Sequence, residues 1–173
     1  MSAGQAGGMS DPYLQLYKFV FSGLVQLLLP NDAMYYSWNR LKFTFFNGQQ
    51  VYTSIWFDYE TRAEEFFIKA NDIKKKYADC FTFDSPEMLV PTEMDGIIAN
   101  RFPGKNRALW TLYNKRLTTV RDEVISIPHI QGARYFDVWN DRELTPRIAD
   151  GNAYISLELH PQSIGCIIQS INQ

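Results

Sequence analysis

In this chain of 173 residues the carboxylates are the first side chains to weigh for chemistry. Glycoside hydrolysis needs only two acids flanking the scissile bond, about 5 to 10 Å apart depending on stereochemistry. Asp58 and Glu60 sit among other charges in a helical stretch, Glu93 and Asp95 follow a proline-containing segment, and Asp137 stands between rings in Tyr135-Phe136-Asp137-Val138-Trp139. No pair stands out. Asp137 reads best as a strand residue pointing outward between two inward ones. His129 and His160 each adjoin a proline and read as structural or solvent-exposed. Cys80 and Cys166 are too few and too far apart for a disulfide framework or a zinc cluster, and read as buried free thiols. Dinucleotide, phosphate-cradle and nucleophile-elbow motifs are missing, since Gly104-Lys105 is followed by Asn106 and no serine lies in Gly-x-Ser-x-Gly. No catalytic residue, metal ligand or cofactor is therefore assigned.

Flat aromatic faces beside amide and guanidinium groups suit polyol recognition instead. Tyr35-Tyr36-Ser37-Trp38-Asn39-Arg40 has that composition, which makes Tyr36, Trp38, Asn39 and Arg40 candidate substrate-binding residues, with packing an equal alternative. Trp139-Asn140-Asp141-Arg142 has it too, but packing plus an Asn-Asp turn is the favoured reading there. Of the chain's 26 aromatic rings, 17 lie in the first 80 residues, an asymmetry that any functional account must explain. Charge is almost balanced, with 17 Lys and Arg against 19 Asp and Glu. That balance excludes the strong electrostatic footprint of non-specific nucleic-acid or polybasic membrane binding.

The elements that must position these groups fall into two halves. Residues 1–11 read as a disordered leader without the basic start of a secretory signal, so a cytoplasmic protein is the default expectation unless a targeting segment belongs to a longer parent. Residues 12–84 form a helical half. Asp11 and Pro12 open a first helix whose apolar positions from Leu14 to Leu28 cover all its sides, although Leu24 to Leu29 reads equally as a buried strand. The apolar run Phe19 to Leu29 is too short for the roughly 20 residues of a membrane span. Tyr35 to Phe46 reads as extended, with Asn47-Gly48 as its turn. Trp56, Tyr59, Ala63, Phe66, Phe67, Ala70, Ile73 and Tyr77 recur at three and four, predicting a second helix over Thr53 to Asp79, and Lys74-Lys75-Lys76 reads as its solvated end.

Asp84 to Thr92, with two prolines, reads as a linker. Beyond it, over 93–173, short apolar runs alternate with turn residues near every ten positions. They predict about seven strands: Gly96 to Phe102, Ala108 to Tyr113, Val120 to Ile125, Ala133 to Trp139, Thr145 to Ile148, Ala153 to Leu159 and Ile164 to Ile171. Such spacing argues for an antiparallel β-sandwich. The expected fold class is thus α+β, with two N-terminal helices and a short extended segment ahead of the sandwich.

Leu89-Val90-Pro91-Thr92-Glu93, Gly96 to Phe102, Leu109 to Asn114, Ala133 to Trp139, Ile155 to Leu159 and Ile164 to Gln169 together resemble the C-terminal region of large bacterial glycoside-hydrolase-like proteins. In these, a TIM barrel related to the α-galactosidase clan precedes a small β-sandwich. The resemblance covers about residues 12–173. It implies that 12–80 is a partial barrel end, with a late strand near Met34 to Phe46 and a closing helix over Thr53 to Asp79, and that Tyr36, Trp38, Asn39 and Arg40 border the parent's sugar pocket. The upstream strands that carry the acid pair in that clan are absent from this chain. The resulting expectation is a non-catalytic accessory fragment whose partners are carbohydrate, the rest of the barrel, or a second copy docked through the apolar helix. A free-standing carbohydrate-binding or interaction module is the alternative.

Overall fold

The computed structural model describes residues 19–20, 27–28, 38–51, 61–82 and 85–171. The leader, most of the expected first helix, Tyr36 and residues 53–60 lie outside them.

Two short strands, β1 (Leu27–Leu28) and β2 (Gln50–Val51), pair in parallel, with Leu27 opposite Gln50 and Leu28 opposite Val51. Between them runs α1 (Trp38–Phe46), where an extended segment was expected. The spacing misled because Leu41, Lys42, Thr44, Phe45 and Phe46 are all buried, so the helix shows no single apolar stripe. Asn47-Gly48 is a turn as expected, but it ends a helix. Gly48 takes φ +65°, its N–H donates to the Phe45 carbonyl, and the Gln49 N–H reaches the Thr44 carbonyl, both at 2.9 Å. That is a Schellman cap, for which glycine is the least strained residue.

Helix α2 (Thr61–Lys76) falls inside the expected second helix, burying Phe66, Ala70 and Ile73 and exposing Glu65, Lys69 and Asp72. The chain breaks at Tyr77 and continues as α3 (Ala78–Thr82). Lys75 and Lys76 are exposed, but Lys74 is not part of a solvated end. It is buried, and its ammonium donates to the Gln49 carbonyl beside β2.

Nine further strands follow: β3 (Glu87–Val90), β4 (Ile97–Pro103), β5 (Arg107–Asn114), β6 (Val120–Pro128), β7 (Ala133–Asp137), β8 (Arg142–Leu144), β9 (Arg147–Ala149), β10 (Asn152–Leu159) and β11 (Ile164–Ile171). They form antiparallel sheets of six strands, β3-β4-β5-β11-β7-β8, and three, β6-β10-β9, giving the expected α+β sandwich. The count exceeds seven for two reasons. The segment read as a linker contains β3, and the single strand expected at Thr145 to Ile148 is replaced by β8 and β9 on either side of Pro146, each in a different sheet. Proline cannot donate to a ladder, so the chain changes sheet there. Asp150 and Gly151, both at positive φ, close β9 onto β10 in the tight two-residue turn that favours such residues.

The six-stranded sheet is the middle layer. On one face, Phe102, Leu109, Tyr113, Ile164, Cys166 and Ile168 pack with Leu41, Phe45, Phe46, Phe66 and Phe81 of the helices. On the other, Ala108, Trp110, Leu112 and Ile167 pack with Val124, Ile125, Ile155 and Leu157 of the three-stranded sheet. Strand β5 is buried on both sides over nearly its whole length. The outer sheet keeps a wet face, and the alternation along β10 matches the pattern expected of Ala153 to Leu159.

Buried polar groups pin the layers. Asn100 and Thr111, opposite each other on β4 and β5, both donate to the Phe46 carbonyl at the end of α1, at 3.1 and 2.7 Å. The Asn100 oxygen also accepts the N–H of Leu89. Asn114 donates to the Thr118, Leu159 and His160 carbonyls, tying two loops to the end of β5.

Candidate functional site

The three described members of the expected sugar-contacting set do not lie on a strand. Tyr36 lies outside the described residues, and Trp38, Asn39 and Arg40 form the first turn of α1. The second aromatic segment, Trp139 to Arg142, is better defined because it closes β7 onto β8.

Asp137 ends β7 and is 1% exposed, not turned outward. Its carboxylate accepts from the Asn140 backbone N–H at 3.1 Å, the Asn140 side-chain amide at 2.8 Å and Arg142 Nε at 3.2 Å. A buried carboxylate is tolerable only when so many donors surround it, and here they shape the turn. Asp141 completes the turn at φ +51°. The backbone N–H groups of Val138 and Trp139 donate to the Cys166 carbonyl on β11 at 2.8 and 3.3 Å. Asp137 is thus a scaffold for the turn.

The turn holds Trp139 half-buried at the edge of the helix layer. Phe45 and Phe66 pack against its indole, each with ring centroids 5.0 Å away and tilted by about 50°. Lys69 Nζ stands 4.8 Å from the indole centroid. Between α2 and the turn lies an open groove of about 820 Å³, bordered by Glu65, Lys69 and Asp72 on the helix and by Trp139, Asn140 and Asp141 on the turn. Trp139-Asn140-Asp141 was legible as an aromatic and amide cluster. The helix residues were missed, because the wet face of an amphipathic helix carries no mark of what lies across from it.

The remaining candidates resolve into structural roles. His129 Nδ1 lies 2.7 Å from the Tyr135 hydroxyl, to which the buried Gln169 amide donates at 3.1 Å. Asp79 pairs with Arg107 and joins α3 to β5, and the guanidinium holds the Asp79 carboxyl below its ordinary range. Burial, with Asp79 adding, pushes the Cys80 thiol up to about 12, and burial raises Cys166 well above its ordinary value. Both are buried and free, so both stay neutral thiols. Among the described residues no group of three or more His, Cys, Asp or Glu is placed to hold a metal ion, and no helix is long and apolar enough to cross a membrane.

No protein-family model and no curated relative matches the sequence. Solved structures do match. A Bacillus halodurans protein provisionally assigned as an α-N-acetylgalactosaminidase superposes over 76% of this chain and 31% of its own, at 11% identity and a TM-score of 0.52. A Bacteroides fragilis protein provisionally assigned as an α-galactosidase matches 78% of this chain and 28% of its own, at 8% identity and 0.53. The Geobacillus stearothermophilus GH27 β-L-arabinopyranosidase matches 78% and 30%, at 8% identity and 0.50. The likeness is one of fold. It is to glycoside hydrolases, in the C-terminal part of their chains, and this chain spans about three-tenths of their length.

Proposed function

We infer that the chain is the C-terminal part of a carbohydrate-active glycoside hydrolase, comprising the end of a TIM barrel and an accessory β-sandwich that braces the barrel and its substrate cleft. The observation that carries the reading is the parallel pairing of β1 with β2 across α1. Parallel neighbours need a crossover, and strand-helix-strand is the repeating unit of an eight-fold α/β barrel. In this reading β1 and β2 are the last barrel strands and α2 the closing helix, so the late strand lies at Gln50–Val51 and not at Met34 to Phe46. Trp38, Asn39 and Arg40, in the first turn of α1, then follow β1 on the barrel face where substrate binds, and with Tyr36 they keep their role as rim candidates.

Catalytic groups of such barrels come from the ends of several strands, and two strands supply too few. The isolated chain therefore leaves aryl α-galactosides, α-N-acetylgalactosaminides and β-L-arabinopyranosides intact, whereas the protein encoded by the complete reading frame cleaves at least one. Turnover by the chain alone contradicts the reading. A free-standing binding or interaction module is the second reading, favoured by the single core that helices and sheet share. Sedimentation separates the two: a module is a monomer that unfolds cooperatively, and a barrel end self-associates through the segment from Phe19 to Leu28.

A further inference from the structure

Arg116 and Leu117, in the loop between β5 and β6, stand apart from the rest of the sandwich. Arg101, Arg107, Arg121, Arg134, Arg142 and Arg147 each pair with a carboxylate, whereas the exposed Arg116 makes no ion pair among the described residues. Beside it Leu117 is 78% exposed, the barest of the described large apolar side chains. The loop nevertheless holds both in place. The Lys115 N–H donates to the Gly96 carbonyl at 2.7 Å and the Arg116 N–H to the Asn114 side-chain oxygen at 2.9 Å. The Asn114 amide donates to the Thr118 carbonyl at 2.9 Å, and the Gln162 N–H to the Arg116 carbonyl at 3.1 Å. A loop fixed by four bonds presents its leucine and guanidinium with little ordering left to do on docking.

The groove between α2 and the β7–β8 turn has the complementary make-up. Ile68, Ile73 and Val138 line it beside Trp139, and Ile68 is 52% exposed. Lys69 covers the indole face, so the seat for a further apolar group is the aliphatic side. Glu65 on the helix wall and Asp141 on the turn wall are exposed and make no ion pair among the described residues, whereas Asp72 already has Lys75 at 4.0 Å. A leucine with a guanidinium next to it matches this pattern, the leucine on Ile68 and the cation between the two free carboxylates. Loop and groove also share one end of the six-stranded sheet, because Tyr113 lies opposite Ile164 and Asp137 opposite Ile167 on β11. Two copies meeting end to end bring each loop toward the other's groove. We propose that the β5–β6 loop of one copy docks through Leu117 and Arg116 into the groove beside Trp139 of a second copy. One leucine and a few ion pairs bury less than the roughly 800 Å² per partner of a stable interface, so the pairing is transient and leaves dilute chain monomeric. It depends on loop and groove alone, not on whether the chain ends a barrel.

The test uses two variants of the full chain, both changed only at exposed side chains. The loop variant carries Arg116→Ser and Leu117→Ser, and the groove variant carries Glu65→Gln, Ile68→Ser and Asp141→Asn. With the loop variant immobilised on a sensor surface, its groove intact, the groove variant is passed over it, and then the loop variant itself. The groove variant, whose loop is intact, is expected to bind severalfold more tightly. Raising NaCl from about 0.1 to about 1 M, which shortens the screening length from about 10 to about 3 Å, should remove most of that excess. Immobilising a chain that carries all five substitutions should abolish it. Self-association through Phe19 to Leu28, which the barrel-end reading predicts, is common to every measurement and cancels in the comparison, so the two ideas fail separately. The proposal is overturned if the two variants bind alike, if the excess survives the groove substitutions in the immobilised chain, or if salt leaves it unchanged.

Discussion

The six-stranded sheet is covered differently on its two faces. Toward the helices it meets rings: Phe45, Phe66, Phe81, Phe102 and Trp139 form one connected set and Phe46 pairs with Tyr113, with centroid separations of 5.0 to 6.4 Å. Toward the three-stranded sheet it meets branched aliphatics, with Val124, Ile125, Ile127, Ile155, Leu157 and Leu159 fully or nearly fully buried. Stacked sheets lie in parallel layers about 10 Å apart that small branched side chains interleave, whereas helices leave uneven gaps that tilted rings fill. The helix face is also pinned by directional bonds, from Asn100 and Thr111 to Phe46 and from Lys74 to Gln49. The sandwich face combines buried area with its own cross-sheet bonds, from Asn114 to the Leu159 carbonyl and from Gln169 to the Pro128 carbonyl. On the helix face the bonds fix where the helices sit.

The largest test of this contrast removes one buried side chain from each face. Phe45→Ala is expected to cost about 3–5 kcal/mol and Ile155→Ala about 2–5 kcal/mol, and the informative result is where the loss falls. Native-state hydrogen exchange should show Phe45→Ala stripping protection from α1 and α2 while β10 and β11 keep theirs, and Ile155→Ala lowering protection throughout. Equal global losses would merge the two faces into one cooperative unit. Asn100→Ala leaves the Leu89 N–H without its partner and takes one donor from the Phe46 carbonyl. A loss of about 1–3 kcal/mol in urea unfolding is expected.

Gly48→Ala should cost about 1–3 kcal/mol, because a Cβ there meets a positive φ and stands 2.7 Å from the Phe102 ring. Gly151→Ala shares the φ penalty but meets nothing within 4 Å, so its midpoint shift should be clearly smaller. The smallest effect belongs to the Asp79–Arg107 pair between α3 and β5. Its side chains are about a third exposed, so screening limits its worth to at most about 1 kcal/mol. Arg107 depresses the folded carboxyl's pKa. The stabilisation is therefore present above the unfolded carboxylate value and lost as pH falls through the folded one. Asp79→Asn should lower Tm at neutral pH and converge with the parent in acid.

The sandwich was largely legible because antiparallel strands write their environment into the sequence. Tyr154, Ser156 and Glu158 alternate with Ala153, Ile155, Leu157 and Leu159, and the turns carry Asp150-Gly151 and Asn140-Asp141. Strand β3 escaped because prolines flank it and its edge is irregular, with Leu89 at φ +48° and a shifted register against β4. Helix α1 escaped for the opposite reason: Leu41, Lys42, Thr44, Phe45 and Phe46 are all buried, so polar and apolar positions alike face inward and the stripe by which helices are recognised is lost. Of the first-half aromatics, Phe45, Phe46 and Phe66 belong to the rings facing the sheet. The groove was half legible, since the turn that presents Trp139 has a recognisable composition. Its opposite wall lies some 70 residues earlier, on an ordinary wet helix face.

The central functional claim, that β1, α1, β2 and α2 close a barrel begun elsewhere, is tested most directly by the mass of the polypeptide in its source cells. An immunoblot with antibody raised against the sandwich should detect one band well above 20.1 kDa, as expected when a chain of this length is about three-tenths of the whole. A band at 20.1 kDa, with none larger, would contradict the claim and leave the free-standing module in its place.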